Sequence, residues 1–553
     1  MQNQRVTCCL DIDSGINMTE PGYNQIDTEQ SITGKTSDGK ELLVEDEKNP
    51  TNLDNILIDS VGRFGLFQAW LLFLLFFCQA TFAPAIYGSV FTDFTPKHHC
   101  VREEVEEFNL TKWEEEDNRC NLVEEGNKTE CSLWVYDQSL FHETVAADFN
   151  IVCDQAYLKP LSGTLRMSGL LIGSFIFGWL SDSCGRVPSL TLAGILLFTS
   201  QIVAGFSTNY LMFSVLTVVM AAGGVGSYLV SFVLLFEWAC PEYRTMASVF
   251  AQIPFAVGYL YTVLIAWCVR YWQTLQWVLA IPNTLFFILF FIIPESPRWL
   301  VSQGNTEKAL KSIKVAAKSN NLQVPKQVYI EKRRSDEKTK KLGICILIAH
   351  PVLCYRLVIM SFNWIVITLC FYGLSLNSAN EDLFTGMSMM AFVELMAYII
   401  TLFIIDYFGR RPILSVCQLL AGLSCVCAGF VPMSCYWLRL CLALVGKMGA
   451  SAGFAVVFVY SAELFPTPVR NSAIGLCSTL ARIGALLAPT IASLESVLAF
   501  LPFLIMGGAA MLVGSLSFLL PETRGGQLPE TVEEAAAIGA KKEMEEEKEE
   551  NTM

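Results

Sequence analysis

The sequence predicts an all-α membrane protein whose twelve transmembrane helices form two six-helix pseudo-repeats, with a cysteine-containing extracellular loop. Three observations predict this fold class: the composition, a series of long apolar runs and an internal duplication. Of the 553 residues, 53% are hydrophobic and only 16% are charged, and the mean hydropathy is +0.44. A soluble chain of this length would divide into several domains with polar surfaces and linkers.

Twelve apolar runs of roughly 18–28 residues are long enough to cross a hydrocarbon core of about 30 Å as helices. They lie near residues 64–91, 160–181, 188–206, 211–236, 246–268, 274–294, 355–376, 385–405, 412–430, 435–462, 472–494 and 496–520. Several neighbouring runs are separated by only a few residues, so their ends are defined to within several positions. The pattern indicates a polytopic membrane protein.

Charge asymmetry between the polar segments predicts the orientation. Residues 93–154 contain 16 acidic and 5 basic side chains, whereas residues 301–343 contain 11 basic and 4 acidic ones. By the positive-inside rule the second segment is cytosolic, which makes the first extracellular and both termini cytosolic. Residues 1–60 show no cationic start with an apolar core and cleavage site, so no removable signal peptide is expected. The net charge of −14 is carried largely by the outer loop and the tails and says nothing about a nucleic-acid partner; none is expected.

The predicted extracellular loop carries independent marks of that location. It contains the glycosylation sequons "NLT" at Asn109 and "NKT" at Asn127. It also contains an even set of cysteines in an oxidising compartment, Cys100, Cys120, Cys131 and Cys153. Two disulfides are therefore expected, and the spacing leaves all three possible pairings open.

Three short motifs occur twice in the same order. "SDSCGRV" at 181–187 is similar to "IDYFGRRP" at 405–412, "EWACPEYRT" at 237–245 to "ELFPTPVRN" at 463–471, and "PESPRW" at 294–299 to "PETRGG" at 521–526. The offsets between equivalent residues, 224 to 227 positions, are nearly constant. The chain is therefore predicted to consist of two parallel six-helix halves, a design typical of carriers that rock about a midplane site.

The expected organisation follows from these boundaries. A cytosolic tail (1–62) precedes the N-terminal half (63–300), which includes the extracellular glycosylated loop (92–156). A basic cytosolic linker (301–343) joins it to the C-terminal half (344–521), and an acidic cytosolic tail (522–553) follows.

The Gly-Arg motifs and the duplicated halves resemble the major facilitator superfamily. Within it, the large cysteine-containing loop and the stretches "FNIVCD", "PESPRWL", "FNWIVITLCFYGLSLN", "YSAELFPTPVRN" and "LPETRGGQLPETVEEA" resemble the organic cation, anion and carnitine transporters of solute carrier family 22. The resemblance extends from about Gly62 to Ala536. The paired glutamines that sugar porters place in helix seven are absent. The resemblance implies the major facilitator fold, alternating access, the plasma membrane and a monomeric transport unit.

The charges of the repeated motifs are candidates for a cytosolic gate. They are Asp182, Arg186, Glu237, Arg244, Glu295 and Arg298 in the first copy and Asp406, Arg410, Arg411, Glu463 and Arg470 in the second. Ion pairs among them are expected to latch the inner ends of the two halves together while the site faces outward. Alternatively, they only set the topology and anchor the helix ends. Because Val187 replaces the second basic residue, the first-half latch is expected to be the weaker.

Ionisable residues within the apolar runs are candidates for the transport site, because such residues are costly in a membrane. They are Arg166, Glu394, Lys447 and Arg482. For Arg166 a structural role is favoured, and for Lys447 snorkelling to the interface competes with a site role. In the family that this chain resembles, the position of Arg482 is typically acidic in carriers of simple cations and arginine in carriers of anions or carnitine. Arg482 is therefore expected to bind a substrate carboxylate, unless it forms an internal ion pair with Glu394.

Aromatic side chains complete the predicted substrate site. Trp364, Phe371 and Tyr372 lie seven to eight residues apart, on one helical face. Gln252 and Tyr259, also seven apart, are expected to share the opposite wall. Aromatic faces attract quaternary ammonium groups by about 0.5–2 kcal/mol each. Glu394 and these helix-seven aromatics are therefore expected to hold the onium end of a substrate whose carboxylate binds Arg482.

No phosphate-loop motif and no metal-ligand spacing occurs in the sequence, and His98, His99, His142 and His350 all lie outside the predicted helices. No enzyme activity, cofactor or metal is expected, although a coupled ion, Na⁺ or H⁺, is possible. The sequence thus predicts a secondary or facilitative carrier of small organic ions, with carnitine-like zwitterions and organic cations as leading substrates. An organic anion carrier and a non-transporting receptor or scaffold with a carrier fold are the alternatives.

Overall fold

The fold is a helical bundle, seen here in a computed structural model. The structure describes residues 57–58, 60–101, 108–110, 113, 117–124, 127–240, 243–322, 347, 349–377, 383–525, 529 and 531–538. Most of the predicted N-terminal tail, most of the charged part of the linker and the end of the acidic tail lie outside these ranges.

Eleven helices of the described residues are long and apolar enough to span a membrane, and a twelfth apolar helix has 17 residues. In the N-terminal half these are α1 (Leu66–Thr92, interrupted at Thr81), α2 (Leu158–Cys184), α3 (Arg186–Ala204), α4 (Tyr210–Trp238), α5 (Arg244–Phe250 and Ile253–Cys268) and α6 (Trp272–Ile292). In the C-terminal half they are α7 (Pro351–Asn377), α8 (Leu383–Phe408), α9 (Arg410–Phe430), α10 (Tyr436–Leu464), α11 (Thr467–Ser493) and α12 (Leu501–Ser517). The predicted fold class is confirmed.

The two halves meet along two helix pairs, because α2 packs against α11 and α5 packs against α8. Small residues bring helices close together where they cross. At Gly484 of α11, an added Cβ would lie 2.1 Å from the carbonyl oxygen of Ile365 on α7. This close approach sets the rotation of α11 relative to α7, on which the geometry of the central cavity depends.

The two ends of the bundle differ in what they carry. The segment between α1 and α2 lies at one end, here called the loop side, and the repeated charged motifs lie at the other, here called the linker side. On the loop side, β1 (His98–Cys100) pairs antiparallel with β4 (Trp134–Tyr136), and β2 (Asn121–Glu124) pairs with β3 (Asn127–Glu130). Disulfides join Cys100 to Cys131 and Cys120 to Cys153, which is one of the three pairings that the spacing allowed.

On the linker side, the helix Thr306–Ser319 packs against the start of α1. Asn320, which follows this helix, accepts a hydrogen bond from the backbone N–H of Phe67 (2.8 Å). Its amide nitrogen donates to the carbonyl of Val61 and to the side chain of Gln68. Asn320 therefore provides an acceptor for one of the backbone N–H groups that have no partner within the first turn of α1.

Candidate functional site

A small central cavity lies between the two halves. It is lined from α1, α4 and α5 on one side and from α7, α8, α10 and α11 on the other. Nine of the lining residues are aromatic: Phe82, Tyr228, Phe255, Trp364, Phe371, Tyr372, Tyr398, Phe454 and Phe458. The polar lining residues are Gln252, Thr368, Ser478 and Arg482. The wall is thus aromatic, with a few polar groups and a single charged side chain.

Helical periodicity explains which residues of each helix reach the cavity. On α7 the lining residues are 364, 368, 371 and 372, and on α11 they are 478, 481 and 482. Both sets have the three- and four-residue spacing of one helical face. The prediction that Trp364, Phe371 and Tyr372 share a face agrees with this geometry, and Thr368 lies on the same stripe.

Arg482 is the one charged residue of the cavity wall, and it makes no hydrogen bond or ion pair to any described residue. Its Nε atom is buried without a hydrogen-bond partner. A central arginine costs roughly 2.5–3.5 kcal/mol on membrane-insertion scales, so it needs contact with protein or water. The guanidinium is therefore a strong donor group that is available to an anionic ligand in the cavity.

Glu394 is not the partner of Arg482, contrary to the alternative considered above. It forms an ion pair with Lys447, with 2.8 Å between Nζ and Oε2 and with both side chains 0% exposed. Lys447 also donates to the carbonyl oxygen of Phe371 (3.0 Å) and lies 3.5 Å from the centre of the Phe371 ring. Neither member of the pair lines the cavity. Lys447 is fully buried and does not snorkel, because Glu394 and a carbonyl group satisfy its charge inside the bundle.

On α5, Gln252 and Tyr259 do not share one wall. Gln252 lines the cavity and accepts a hydrogen bond from the Tyr228 hydroxyl (2.7 Å) through Oε1, while its Nε2 has no partner. Tyr259 lies outside the cavity, where it stacks on Tyr87 at 3.8 Å and donates to the sulfur of Met387. The seven residues between the two positions move Tyr259 about 10 Å along the helix axis, beyond this small cavity.

The cavity is closed towards both sides of the bundle. On the loop side, Phe91 of α1 stacks on Phe384 of α8, and Arg270 lies 4.5 Å above the same ring. On the linker side, the first segment of α5 packs against α8 and α10, and Phe232 of α4 contacts Phe458 of α10. The enclosed volume is about 30 Å³, far below the roughly 300–1,000 Å³ of ligand pockets. This is an occluded state that must expand to hold an organic ion.

The repeated motifs form two similar charge networks on the linker side. In the first, Arg186 pairs with Glu237 (2.8 Å) and Asp182 (2.9 Å), and Arg298 donates to the carbonyl of Glu237. The carboxylate of Glu295 accepts hydrogen bonds from the backbone N–H groups of Arg186 and Val187, at the start of α3. Burial raises the pKa of Glu295, although these N–H groups and the charge of Arg186 act in the opposite direction.

The second network repeats this arrangement. Arg410 pairs with Glu463 (2.9 Å) and Asp406 (3.0 Å). Glu522 accepts from the backbone N–H groups of Arg410 and Arg411 at the start of α9. Glu522 was not among the predicted gate residues, yet it occupies the position of Glu295 in the repeat.

The ion pairs that the described residues of these motifs form do not join the two halves in this occluded state, so the latch expected for the outward-facing state stays a prediction. Each network lies within one half, because the partners come from neighbouring helices of the same repeat. Arg470 likewise donates to carbonyl groups of its own half, those of Phe465 and Pro529, and the side chain of Arg244 lies outside the described part. Val187 uses its backbone N–H as Arg411 does, but the side chain of Arg411 also donates to the carbonyl oxygen of Leu520 (3.5 Å). The expected weakness of the first network therefore stays a prediction.

The glycine of each Gly-Arg motif is explained by the same carboxylates. Gly185 has φ +107° and Gly409 has φ +93°, a region that residues with a Cβ rarely adopt. An added Cβ would lie 2.5 Å from an oxygen of Glu295 and 2.7 Å from one of Glu522, respectively. Both the turn and the close carboxylate therefore require glycine.

Comparison with known proteins identifies the family. Residues 161–535 match the family described as "Sugar (and other) transporter". An organic cation transporter protein of Drosophila melanogaster is 33% identical over 434 residues, which cover 76% of this chain and 79% of that protein. The human organic cation/carnitine transporter 2 is 34% identical, over 73% of this chain and 74% of that protein. The chain belongs to the organic cation and carnitine transporter family.

Other similarities agree with this family, which lies within the major facilitator superfamily. The human solute carrier family 22 member 2 is 28% identical over 88% of this chain and 95% of that protein. Among solved structures, a partially occluded inward-open form of the xylose transporter XylE from E. coli superposes with a TM-score of 0.59. That protein is 18% identical over 86% of this chain and 100% of its own, so the likeness supports the fold alone. The protein is a multi-pass membrane transporter of the major facilitator type, and its family consists of transporters, not enzymes.

Of the charges within the helices, Arg166 lies away from the cavity. It pairs with Asp93 at 2.9 Å, and both side chains are buried. The pair joins the loop-side end of α1 to the loop-side half of α2, in line with the structural role favoured from the sequence.

Proposed function

We propose that the protein transports small organic ions that carry a carboxylate, with carnitine-like zwitterions as the leading substrates. The observation that carries this proposal is Arg482, a cation without a partner among the described residues, in a cavity otherwise lined by aromatic, aliphatic and neutral polar groups. A guanidinium binds a carboxylate through two parallel hydrogen bonds, which a neutral or cationic group cannot match.

The onium end of such a zwitterion requires a different surface. Glu394, the residue expected to hold it, is engaged with Lys447 outside the cavity. The aromatic faces of Trp364, Phe371 and Tyr372 take over this role, since cation–π attraction needs no carboxylate. Plain organic cations, which share the leading position in the sequence-based prediction, rank behind zwitterions because Arg482 repels them.

Organic anions are the second candidate. Among the residues that the structure describes, the pairing of Glu394 with Lys447 leaves Arg482 as the only net charge at the cavity. A monoanion bound there would neutralise the site without requiring an onium subsite. The two candidates differ in whether the aromatic wall contacts a cationic or an apolar group of the substrate.

Transport proceeds by alternating access, in which the two halves rock about the cavity and open it to one side at a time. The occluded state then lies between the two open states, and the drive comes from the substrate gradient, the membrane potential or a coupled ion. We place the loop side outside the cell, with both termini cytosolic, in the plasma membrane. The positive charge of the linker and the disulfides of the loop support this orientation. In this orientation Asn109 and Asn127 carry glycans. The transport unit is a monomer.

The test is competitive uptake of carnitine, tetraethylammonium and a hydrophobic carboxylate by proteoliposomes. The wild type should prefer the two carboxylates, and Arg482→Asp should shift the preference to tetraethylammonium. Arg482→Lys is the matched control, which keeps the charge but loses the planar fork, so it should keep the preference with weaker affinity. An unchanged preference in Arg482→Asp would refute the role of Arg482. Absence of flux for every solute would favour a receptor or scaffold.

A further inference from the structure

Arg270 is a cation that the transport site described so far does not use. It lies in the connection between α5 and α6, among the contacts that close the cavity on the loop side, here called the loop-side gate. Its guanidinium carbon lies 4.5 Å from the centre of the Phe384 ring and 5.7 Å from that of Phe141. Phe384 belongs to α8 of the C-terminal half, whereas Arg270 and Phe141 belong to the N-terminal half. The contact between Arg270 and Phe384 therefore joins the two halves.

The Phe384 ring is held by aromatic side chains of the N-terminal half. Phe91 of α1 stacks on it with 5.6 Å between the ring centres, and Phe141 lies at the same distance in a tilted arrangement. Phe91 and Phe141 are buried. A guanidinium above such a ring is attracted to the negative face of the π-system, and the attraction depends on its positive charge. Arg270 therefore stabilises the closed gate through its charge.

Most of the donor groups on the edge of this guanidinium have no acceptor among the described residues. Of its five N–H donors, one on Nη1 donates to the carbonyl oxygen of Leu140 (2.8 Å). No ion pair joins Arg270 to a described residue. Two carboxylates of the same loop, Glu143 and Asp148, accept instead from the amide of Gln273 (3.3 and 3.2 Å). Arg270 is partly exposed, so its face contacts the gate while its edge is available to an anion from solvent.

We propose that Arg270 is an entry site for the substrate carboxylate and that occupation of this site loosens the loop-side gate. The inference rests on the proposed function, because it requires a substrate with a carboxylate. The carboxylate binds the free edge of the guanidinium through charge-assisted hydrogen bonds. It neutralises the charge that attracts the Phe384 ring, so the contact between the halves weakens at the place where the substrate has to pass.

The entry site and Arg482 are occupied one after the other. Phe384 and Tyr398, which lines the central cavity, are 14 residues apart on α8, about 21 Å along the helix axis. A small organic ion is too short to contact Arg270 and Arg482 together. The substrate therefore leaves Arg270 before it reaches Arg482, and the attraction between the guanidinium and the Phe384 ring is restored behind it. By linkage, a carboxylate that binds the open gate more tightly than the closed one shifts the equilibrium towards the open gate.

The first experiment measures how often the loop-side gate opens and does not depend on flux. Ser375 of α7 is fully buried and donates to the hydroxyl of Tyr87 (3.4 Å), one turn of α1 below Phe91. In the parent variant Ser375→Cys/Arg482→Gln, the rate of reaction with a membrane-impermeant biotinylated thiol reagent, added outside intact cells, reports the open fraction. Arg482→Gln removes the carboxylate site of the cavity. The same protein with Ser375 unchanged gives the background from exposed cysteines.

Carnitine should raise this rate about 2–5-fold, the factor that corresponds to an exposed cation–π contact. Choline, which has the onium group without the carboxylate, should not raise it. With Arg270→Gln added, the rate without ligand should already be higher by the same factor and should not respond to carnitine. Arg270→Lys keeps a charge above the Phe384 ring and should restore the slow rate, which separates the loss of charge from misfolding.

Arg439→Gln is the matched control for these variants. Arg439 lies 4.8 Å from the Phe503 ring and is paired with Glu495, but all three residues belong to the C-terminal half. Its replacement should change neither the labelling rate nor the response to carnitine.

The second experiment measures initial uptake into cells that express the protein with Arg482 intact. Arg270→Gln should raise the half-saturating concentration of carnitine about 2–10-fold, whereas that of tetraethylammonium should not rise. An unchanged value for carnitine, or a labelling rate that does not respond to carnitine, overturns the inference. The proposed function then stands if Arg482→Asp still shifts the substrate preference. If neither arginine affects the uptake of carboxylates, the inference and the proposed function are overturned together.

Discussion

Replacement of Lys447 by methionine would remove one member of a fully buried ion pair. Lys447 and Glu394 have their charged atoms 2.8 Å apart, and Lys447 also donates to the carbonyl of Phe371. Methionine is unbranched and similar in length, so the loss is chiefly electrostatic. Removal of one partner of a buried pair costs about 3–5 kcal/mol, because the remaining charge has no counter-charge. The Tyr398 hydroxyl, at 3.4 Å from Glu394, is too distant to compensate.

The double variant Glu394→Gln/Lys447→Met separates this effect from a loss of packing. With both charges removed, the free energy of unfolding should be unchanged or higher by up to about 4 kcal/mol. The assay is denaturant titration in detergent, with unfolding followed by reaction of a thiol-sensitive fluorophore. The free cysteines Cys370, Cys425 and Cys477 are buried and should react only on unfolding.

Two results would refute this reasoning. The first is a loss of unfolding free energy below about 1 kcal/mol in Lys447→Met, which would show that the pair is no stronger than an exposed surface ion pair. The second is a loss of unfolding free energy in the double variant that equals the sum of the losses in Glu394→Gln and Lys447→Met. It would show that the two side chains contribute independently, without a pairwise interaction.

Three further predictions concern the charge networks and the cavity. Gly409→Ala should lower the free energy of unfolding by about 1–2 kcal/mol because of the positive φ of Gly409. Gly178→Ala is the control and should not lower it, since no atom lies within 4 Å of the added Cβ. Equal effects of the two variants in the same titration would count against a cost of the positive φ. Glu295→Gln and Glu522→Gln should each cost about 1.5–3 kcal/mol, since each removes the charge of a carboxylate that accepts from backbone N–H groups, including the two at the start of α3 or α9. A much milder effect in Glu295→Gln than in Glu522→Gln would support the prediction of a weaker first network. Tyr228→Phe removes the hydroxyl that donates to Gln252 Oε1, so the Gln252 amide is no longer held in place. The half-saturating concentration for carboxylate uptake should then rise about 2–10-fold. No change would mean that Gln252 does not contact the carboxylate.

The internal repeat contains more information on the linker side than the charged residues selected from the motifs. The offset of 227 between the third pair of motifs carries Glu295 onto Glu522, and the structure gives both the same two backbone donors. The numbering of the repeat could therefore have identified Glu522. What the repeat could not predict is that each network stays within its own half, since a sequence offset carries no information on which helices are neighbours.

The charges inside the membrane show a similar limit. Sequence alone predicted that Glu394, Lys447 and Arg482 are costly and must face protein or water. It could not select the pair, because the partner depends on the rotation of α8, α10 and α11. That rotation is set by close contacts such as Gly484 against the Ile365 carbonyl, which depend on three-dimensional packing.

Helical periodicity predicts cavity-lining residues correctly where a single face of one helix borders the cavity. On α7 it predicted three lining residues and would also have found Thr368. On α5 it failed, because residues seven apart lie on the same face but at different depths. Gln252 reaches the cavity, and Tyr259 lies in another layer against Tyr87. Face and depth must both be known, and the period of a helix supplies only the face.

The contact between Asn320 and the start of α1 has a consequence for biosynthesis. The N–H of Phe67 is satisfied by a side chain 253 residues further along the chain. During translation, α1 is the first membrane helix to leave the ribosome, yet its first turn lacks this acceptor until the whole N-terminal half and the helix Thr306–Ser319 have been made. This end of α1 thus acquires its final contact only after the N-terminal half has been synthesised, and completion of that contact reports that the first half of the transporter has assembled.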